Sequence, residues 1–286
     1  MKNFTYQKGF LKSLHHKKSI TFDLRYKNTG QPKPVIIFVH GFKGFKDWGP
    51  FDLLADFFSQ KDFIFCKMNL SHNGTTPEKP FDFDDLEAFG NNNFSIELDD
   101  IGVMLDHFYS DESTIPNEEI DMRAVFLLGH SRGGGVALLK TYEDTRIKAV
   151  ATLAAISDLK ERWTAEYLQE WKEKGIQYVY NGRTKQNMPL YYQMVEDLNK
   201  NFERLNIPHA VKKLNKPILA IHGTNDETLP VSMAYDIKEW NPAVELFIIE
   251  GAGHTFDGYH PYDKDGLPKD LLLAAEKVDS FFKTII

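Results

Sequence analysis

The sequence has a single cysteine, Cys66, and this scarcity excludes a disulfide framework within the chain. Cys66 follows three apolar residues at 63–65, so we expect it to be buried in a strand, in a structural role. No apolar run approaches the roughly 18 residues that a membrane span needs, and residues 1–10 do not resemble a signal peptide. These absences predict a soluble, cytoplasmic protein with no membrane partner.

Basic residues are outnumbered: 34 lysines and arginines face 41 acidic residues, which gives a formal net charge of −7. Nucleic-acid binding needs a cationic surface, so the charge argues against DNA or RNA as a partner. The one local basic run, residues 12–18, is short, and we interpret it as a solvated segment between strands. The oligomeric state cannot be predicted from these features.

Motifs for phosphates, dinucleotides and zinc are also lacking. A cluster of acidic residues could hold calcium, but its spacing does not fit an EF-hand loop, and a solvated loop is the simpler interpretation. The cluster consists of Asp82, Asp84, Asp85 and Glu87. The sequence therefore predicts no metal site and no cofactor.

The sequence does contain a repeated alternation of apolar runs and segments with helical periodicity. Continuous apolar runs are typical of parallel strands, because helices cover both faces of a parallel sheet. The predicted strands are 35–39, 63–67, 124–128, 147–151, 218–221 and 246–249, and the predicted helices are 51–60, 96–108, 134–142, 232–240 and 270–282. Residues 18–26 alternate in polarity and predict a half-exposed antiparallel strand. The pattern predicts an α/β fold with a mostly parallel central sheet and helices on both faces.

Residues 157–210 interrupt this alternation. They contain eight aromatic residues and helix-like charge patterns but no evident strand core. We interpret them as an inserted helical cap on a core domain formed by residues 1–156 and 211–286. Most of the aromatics should pack the cap onto the core, and some should face a cleft.

A G-x-S-x-G motif runs from Gly129 to Gly133, with Ser131 at its centre. The motif alone is weak, but here it follows an apolar strand and opens a helix, as a nucleophile elbow requires. Side chains at Gly129 and Gly133 would collide with neighbouring backbone in so tight a turn. The alternative is a tightly packed turn without chemistry. Ser131 is therefore the candidate nucleophile, placed where the N-terminus of a helix favours negative charge.

The strand at 35–39 leads into a second candidate element, the loop that begins His40-Gly41-Phe42. A serine that attacks a carbonyl creates an oxyanion, which two backbone N–H donors can stabilise. We predict these donors to be the N–H groups of Phe42 and of Arg132, the residue after the nucleophile. His40 is expected to hydrogen-bond within its loop rather than to act as a base.

The acid and base of a catalytic triad are predicted at the ends of two later strands. Asp226 follows the strand at 218–221, and His254 follows the strand at 246–249 in a glycine-rich loop. Glu227 competes for the role of acid but is expected to point to solvent. His260 competes for the role of base but lies further from its strand. The carboxyl ends of parallel strands share one edge of the sheet, so Ser131, Asp226 and His254 should meet there.

With these elements the chain resembles the α/β-hydrolase superfamily. The resemblance rests on HGFKGFKDW (40–48), GHSRGG (129–134), HGTNDETLP (222–230) and EGAGH (250–254), and it extends from about residue 20 to the C-terminus. Among its members the chain is most similar to small bacterial serine esterases, including the feruloyl and cinnamoyl esterase-like group. The doubled glycine after the elbow also resembles prolyl-oligopeptidase-type peptidases, but the chain has no room for their N-terminal propeller.

The resemblance and the motifs together predict a serine hydrolase that cleaves a small-molecule carboxylic ester through an acyl-serine intermediate. A peptidase or amidase with the same triad is the first alternative. A hydrolase fold that serves only as a binding module is the second. The sequence does not identify the substrate or the residues that bind it.

Overall fold

The structure is a computed structural model that describes residues 4–160 and 163–286. The strands within these ranges are β1 (Phe4–Lys12), β2 (Ser19–Lys27), β3 (Lys33–Val39), β4 (Ile64–Met68), β5 (Ile120–His130), β6 (Ile147–Leu153), β7 (Ile176–Asn181), β8 (Gln186–Tyr191), β9 (Ile218–Gly223) and β10 (Glu245–Ile249). The helices are α1 (Phe51–Gln60), α2 (Leu86–Gly90), α3 (Phe94–Phe108), α4 (Arg132–Glu143), α5 (Ala165–Lys174), α6 (Gln193–Lys200), α7 (Ile207–Lys213), α8 (Ser232–Trp240) and α9 (Lys269–Lys283).

Eight of the strands form one sheet in the order β1-β2-β4-β3-β5-β6-β9-β10. The six strands from β4 to β10 in this order are parallel, whereas β2 pairs antiparallel with both β1 and β4. All six strands predicted from apolar runs lie in the parallel set. The antiparallel strand predicted at 18–26 is β2, which is more buried than the half-exposed strand that we expected. The predicted fold class is confirmed. The sequence analysis missed β1, which lies at the edge of the sheet.

Helices pack on both faces of this sheet. In β3, Ile36 and Phe38 lie in the cluster of buried side chains that includes Phe51 of α1 and Phe282 of α9. Ile37, between them, points to the opposite cluster, which contains residues of α3, α4, α7 and α8. Since both faces exclude water, every position from Val35 to Val39 is apolar, and this produces the continuous run seen in the sequence.

The insertion after β6 contains α5, an antiparallel hairpin of β7 and β8, and α6. Helix α5 begins at an N-cap, where the Thr164 side chain accepts a hydrogen bond from the Tyr167 N–H (3.2 Å), and ends at Gly175 in the left-handed conformation. The insertion contains helices, as expected, and also this hairpin, which the sequence analysis did not predict. The boundary at residue 210 also cuts α7, which packs against α4 and α8 of the core, so the insertion ends before Ile207. Residues 1–3 of the predicted core and 161–162 of the predicted cap lie outside the described ranges.

The structure bears on the expectations for Cys66 and for membrane-spanning segments. Cys66 is fully buried in β4, and burial raises the pKa of its thiol, which agrees with a structural role. Among the described helices, none has both the length and the apolar character needed to cross a membrane.

Candidate active site

Ser131 lies in the sharp turn between β5 and α4. Its backbone has φ 56° and ψ −122°, a strained conformation for a residue with a side chain. A Cβ atom at Gly129 would lie 2.3 Å from the Gly133 carbonyl oxygen, and one at Gly133 would lie 2.4 Å from the carbonyl oxygen of His40. The prediction that only glycine fits at both positions is confirmed. The turn presents the serine hydroxyl at the start of a helix.

Three of the predicted residues come together at this turn. His254 Nε2 lies 3.0 Å from Ser131 Oγ, and His254 Nδ1 lies 2.8 Å from Asp226 Oδ2. A carboxylate can only accept, so Nδ1 carries the proton and donates it to Asp226. Nε2 is then free to accept the hydrogen bond from the serine hydroxyl. The arrangement has the connectivity of a Ser-His-Asp triad.

The Asp226 side chain is completely buried and strongly hydrogen-bonded. Its Oδ1 accepts from the backbone N–H groups of Thr228 and Leu229, both at 2.8 Å, and its Oδ2 lies 3.2 Å from His222 Nε2. Burial raises the pKa of the carboxyl, but the hydrogen bonds from His222, His254 and the Leu229 N–H outweigh burial and hold the pKa well below its usual range. Asp226 is therefore a fixed anion beside the imidazole.

Glu227 and His260, which compete for the roles of acid and base, have contacts outside the candidate triad. Glu227 is exposed to solvent, as expected. His260 Nδ1 accepts a hydrogen bond from the Gly49 N–H at 2.9 Å, and its ring stacks on Trp48 with centroids 6.3 Å apart. Neither side chain is hydrogen-bonded to the candidate triad.

Two other histidines near the site have structural hydrogen bonds. His40 Nδ1–H donates to the Gly41 carbonyl oxygen (2.9 Å) and Nε2 accepts from the Leu70 N–H (3.3 Å). Burial lowers the pKa of His40 to about 4, so this imidazole is neutral. The prediction that His40 hydrogen-bonds within its loop is confirmed. His72 is buried, and its Nδ1 lies 2.7 Å from Ser71 Oγ.

The two predicted oxyanion donors flank the nucleophile. A Cβ atom at Gly41 would lie 2.9 Å from Ser131 Cβ, so the loop after β3 passes directly beside the serine. Phe42 follows Gly41 in this loop, and Arg132 is the first residue of α4. In the described ranges neither backbone N–H donates to another protein group. For Arg132 this follows from its place at the start of a helix, where the first N–H groups have no partner.

The Arg132 side chain links the turn between β5 and α4 to the loop after β3. Its guanidinium lies 4.3 Å from the ring centroid of Phe42 and 5.0 Å from that of Phe94. It also pairs with the buried Glu97 at 3.4 Å, and Glu97 in turn accepts a hydrogen bond from Asn92 at 2.6 Å. Burial raises the pKa of Glu97 in spite of the nearby cation. These contacts hold Phe42 in place beside Ser131.

Sequence reasoning missed His130, the residue directly before the nucleophile. Its Nε2–H donates to the carbonyl oxygen of His254 (2.9 Å), and the two rings lie 4.9 Å apart. Burial, with a contribution from His254, lowers the pKa of His130 to about 3 and keeps it neutral. These two contacts fix the loop that carries His254. In the sequence, the signal for this role was the position of His130 directly before Ser131 in the G-H-S motif.

Two cavities open beside Ser131, and both are lined by Phe42, Lys43, Ser131 and His254. The larger has a volume of about 550 Å³ and is lined mainly by apolar and aromatic side chains. They include Phe94, Ile156, Leu159, Trp163, Tyr167, Tyr178, Leu190 and Met194. The smaller has a volume of about 210 Å³, and its lining includes the polar side chains of Lys43, Asn181 and Arg183. Cap aromatics thus face the cleft, as the sequence led us to expect.

One group of acidic side chains that could suggest a metal site is neutralised by lysine side chains of the protein. Asp23, Asp47 and Asp52 converge within 4.8 Å, but the Lys46 ammonium lies 2.7 Å from Asp23 and the Lys67 ammonium lies 2.6 Å from Asp47. The lysines supply the positive charge that a cation would bring. This group is an ion-pair network at the base of the loop after β3.

The basic run at 12–18 lies between β1 and β2, as predicted, but it is not simply solvated. His15 pairs with Asp99 at 2.8 Å, and Lys18 pairs with Asp85 at 2.5 Å. Asp85 also caps α2 by accepting from the Ala88 N–H. Most side chains of the basic run and of the acidic cluster are exposed, as the interpretation of solvated segments expects, and the pair of Lys18 with Asp85 joins the two segments.

Comparison with known proteins gives consistent matches. The model of the alpha/beta hydrolase family matches residues 36–264. The chain is 22% identical to a non-heme chloroperoxidase of Kitasatospora aureofaciens, over 87% of this chain and 94% of that protein. The structure is similar to that of Est1E from Butyrivibrio proteoclasticus with bound ferulic acid, with a TM-score of 0.70, 17% identity and coverage of 96% and 98%. It is also similar to an acylaminoacyl peptidase of Pyrococcus horikoshii, with a TM-score of 0.66 and 16% identity, over all of this chain and 42% of that one.

Proposed function

Because the chain belongs to the alpha/beta hydrolase family, we propose that it is a serine hydrolase that cleaves a carboxylic ester through an acyl-Ser131 intermediate. The observation that carries this proposal is the continuous hydrogen-bonded series from Ser131 Oγ through His254 to Asp226. A serine hydroxyl is a weak nucleophile and needs such a base within hydrogen-bond reach.

In the first half of the reaction, Ser131 Oγ attacks the ester carbonyl carbon while His254 Nε2 takes the hydroxyl proton. The buried Asp226 carboxylate stabilises the imidazolium that forms and fixes its tautomer. Collapse of the tetrahedral intermediate breaks the bond to the leaving oxygen, which receives the proton from His254 and departs as an alcohol. In the second half, His254 activates a water that hydrolyses the acyl-serine.

The negative charge on the former carbonyl oxygen develops between the N–H groups of Phe42 and Arg132. Their position beside Ser131 and their lack of partners in the described ranges support this role. Removing one such donor in comparable sites lowers kcat by about 10²–10³-fold. The Arg132 guanidinium, packed on the Phe42 ring, acts as a positioning group for the first donor.

Paired assays of an aryl ester and the amide with the same acyl group, on the wild type and on Ser131→Ala, test this proposal. We expect hydrolysis of the ester by the wild type and its loss in the variant, with the far-UV circular dichroism unchanged. Faster hydrolysis of the amide would point instead to an amidase or peptidase. Full ester hydrolysis by the folded variant would contradict the assignment of the nucleophile.

A further inference from the structure

The smaller cavity beside Ser131 contains two cationic side chains that the proposed chemistry does not use. It lies between the loop after β3 and the turn of the β7–β8 hairpin. Lys43 comes from the first and Arg183 from the second, and none of the described residues that line this cavity is acidic. Ser131 therefore lies beside a cavity whose lining has an excess of positive charge.

Lys43 combines an uncommon backbone conformation with a half-buried side chain. It has φ 55°, in the left-handed region that lysine rarely adopts, and such strain concentrates at functional sites. Its ammonium donates to the carbonyl oxygen of Tyr180 at 3.3 Å, and within the described ranges no carboxylate forms an ion pair with it. The side chain is half-buried, and burial lowers its pKa, as expected for a cation without a counter-ion.

Arg183 is fixed by contacts that leave most of its charge unbalanced. It donates to the Phe81 carbonyl oxygen (2.6 Å) and stacks against the rings of Phe45 and Phe83, with centroids 5.3 and 5.6 Å away. Its carboxylate contact is with Asp82, at 3.5 Å, and the Asp82 side chain is 67% exposed. A long and exposed ion pair contributes little, so Arg183 retains the capacity to bind an anion.

The larger cavity has a different charge balance. Its lining includes Arg132, whose guanidinium is paired with Glu97, and Lys43, which lies between the two cavities and lines both. The lining also includes one acidic residue, Asp158. The remaining side chains there are mostly aromatic or aliphatic, so this cavity suits the uncharged part of a substrate.

We propose that the smaller cavity binds an anionic group of the substrate, so that the preferred ester carries an apolar or aromatic group on one side of the carbonyl and a carboxylate or phosphate on the other. Lys43 and Arg183 are the specificity-determining residues of this anion subsite. The inference rests on the proposed ester hydrolysis at Ser131. One charge-assisted hydrogen bond in such a site discriminates by about tenfold or more.

Two pairs of matched esters test the subsite and show which half of the substrate bears the charge. Benzoyloxyacetate and benzoyloxyacetamide differ in charge on the alcohol half, and monophenyl succinate and phenyl succinamate differ on the acyl half. In one of the pairs, we expect wild-type kcat/KM to be at least tenfold higher for the anionic member. This preference should shrink when NaCl is raised to 1 M, because salt screens partly exposed charges.

Lys43→Met and Arg183→Gln should each reduce the ratio of anionic to amide turnover by about tenfold. The matched controls are Lys185→Met, which replaces an exposed lysine that also has a left-handed backbone (φ 54°), and Arg123→Gln, at an arginine that is 89% exposed. Both controls should leave the ratio unchanged. Ratios near one in both pairs, or equal effects of the controls, would overturn the anion subsite.

Binding to Ser131→Ala separates this inference from the proposed function. Isothermal titration of the same four compounds should show at least tenfold tighter binding of the preferred anion, independent of turnover. Tighter binding without hydrolysis by the wild type would retain the subsite and reject the esterase. Ser131-dependent hydrolysis with no preference for the anion in turnover or in binding would retain the esterase and reject the subsite.

Discussion

Asp226 illustrates how single residues determine the chemistry of the site. Its carboxylate is buried, receives two backbone N–H groups and faces two imidazoles. Because the carboxylate can only accept, it forces the proton of His254 onto Nδ1 and leaves Nε2 as a base. Asp226 therefore contributes to the site through its negative charge and the geometry of its acceptor oxygens rather than through packing.

Asp226→Asn should lower kcat for ester hydrolysis by about 10³–10⁴-fold with little change of fold. The amide can donate to His254 Nδ1, which stabilises the tautomer whose Nε2–H cannot accept the serine proton. Steady-state kinetics on one neutral ester would measure the loss. Glu227→Gln, at the adjacent exposed acid, is the control and should stay within about twofold of the wild type. Equal losses in the two variants would contradict the assignment of Asp226.

At this scale the sequence located Ser131, Asp226 and His254, because each follows a recognisable strand and a loop with characteristic glycines. It did not locate the residues that support them. His130 and His222 act through contacts with the His254 carbonyl oxygen and with Asp226, across 124 and 4 positions of the chain. Both histidines lie inside motifs that the sequence analysis recognised, but their contacts depend on how the loops fold and meet in space, which the motifs do not specify.

Among the elements, the elbow between β5 and α4 is the most constrained. Its glycines allow the helix to start directly against the backbone of the loop after β3, where a Cβ atom at Gly133 would lie 2.4 Å from the carbonyl oxygens of Val39 and His40. A clash with backbone cannot be relieved by a side-chain rotation. The same loop passes beside Ser131, where a Cβ atom at Gly41 would lie 2.9 Å from Ser131 Cβ.

Gly133→Ala should therefore destabilise the protein by about 2–4 kcal/mol. Guanidinium unfolding followed by circular dichroism would measure the change. Gly266→Ala provides a matched control, because an added Cβ atom at Gly266 meets nothing within 4 Å. We expect the control to lie within about 1 kcal/mol of the wild type. A small effect of Gly133→Ala would show that the elbow can relax.

The element that the sequence analysis missed is the β7–β8 hairpin. Residues 176–180 do alternate between Ile or Tyr and other side chains, and Asn181-Gly182 is a turn signal. The aromatic residues were instead assigned to helices of the cap. Pro189 in β8 further weakens the strand signal, since proline cannot donate to a ladder hydrogen bond. Helix α1 and helix α8, by contrast, have the bounds that the apolar periodicity predicted.

At the scale of the whole molecule, the parallel sheet is what assembles the site. Ser131, Asp226 and His254 follow β5, β9 and β10, and these strands all run in the same direction. Their carboxyl ends therefore share one edge, under the insertion. The general location of the site was predictable for this reason, whereas the order of the strands was not predicted, and the shape of the two cavities depends on the insertion.

The buried histidines give the whole fold a pH dependence. Burial lowers the pKa of His40 and of His72 to about 4 and that of His130 to about 3. An unfolded histidine has a pKa of about 6.5. Unfolding therefore takes up protons between these values, so the stability that neutral burial allows is complete above about pH 6.5 and is lost as the pH falls toward 4. Asp100, whose pKa burial raises to about 6, offsets part of this trend.

We expect the free energy of unfolding to fall by roughly 1.5–3 kcal/mol per pH unit near pH 5, equivalent to a net uptake of about one to two protons. Guanidinium unfolding at pH 7, 6 and 5 would measure the slope. A free energy that is constant or rises between pH 6.5 and 5 would show that these imidazoles are charged in the folded protein.

The central claim is that the fold assembles an activated serine. Labelling with a fluorophosphonate probe, followed by mass spectrometry of the peptides, tests this most directly, because the probe reacts with serines that have an adjacent base. The account predicts a stoichiometric adduct on Ser131 of the wild type and none at any position of Ser131→Ala. Folded wild-type protein that gains no adduct, or gains it on another residue, would contradict the account.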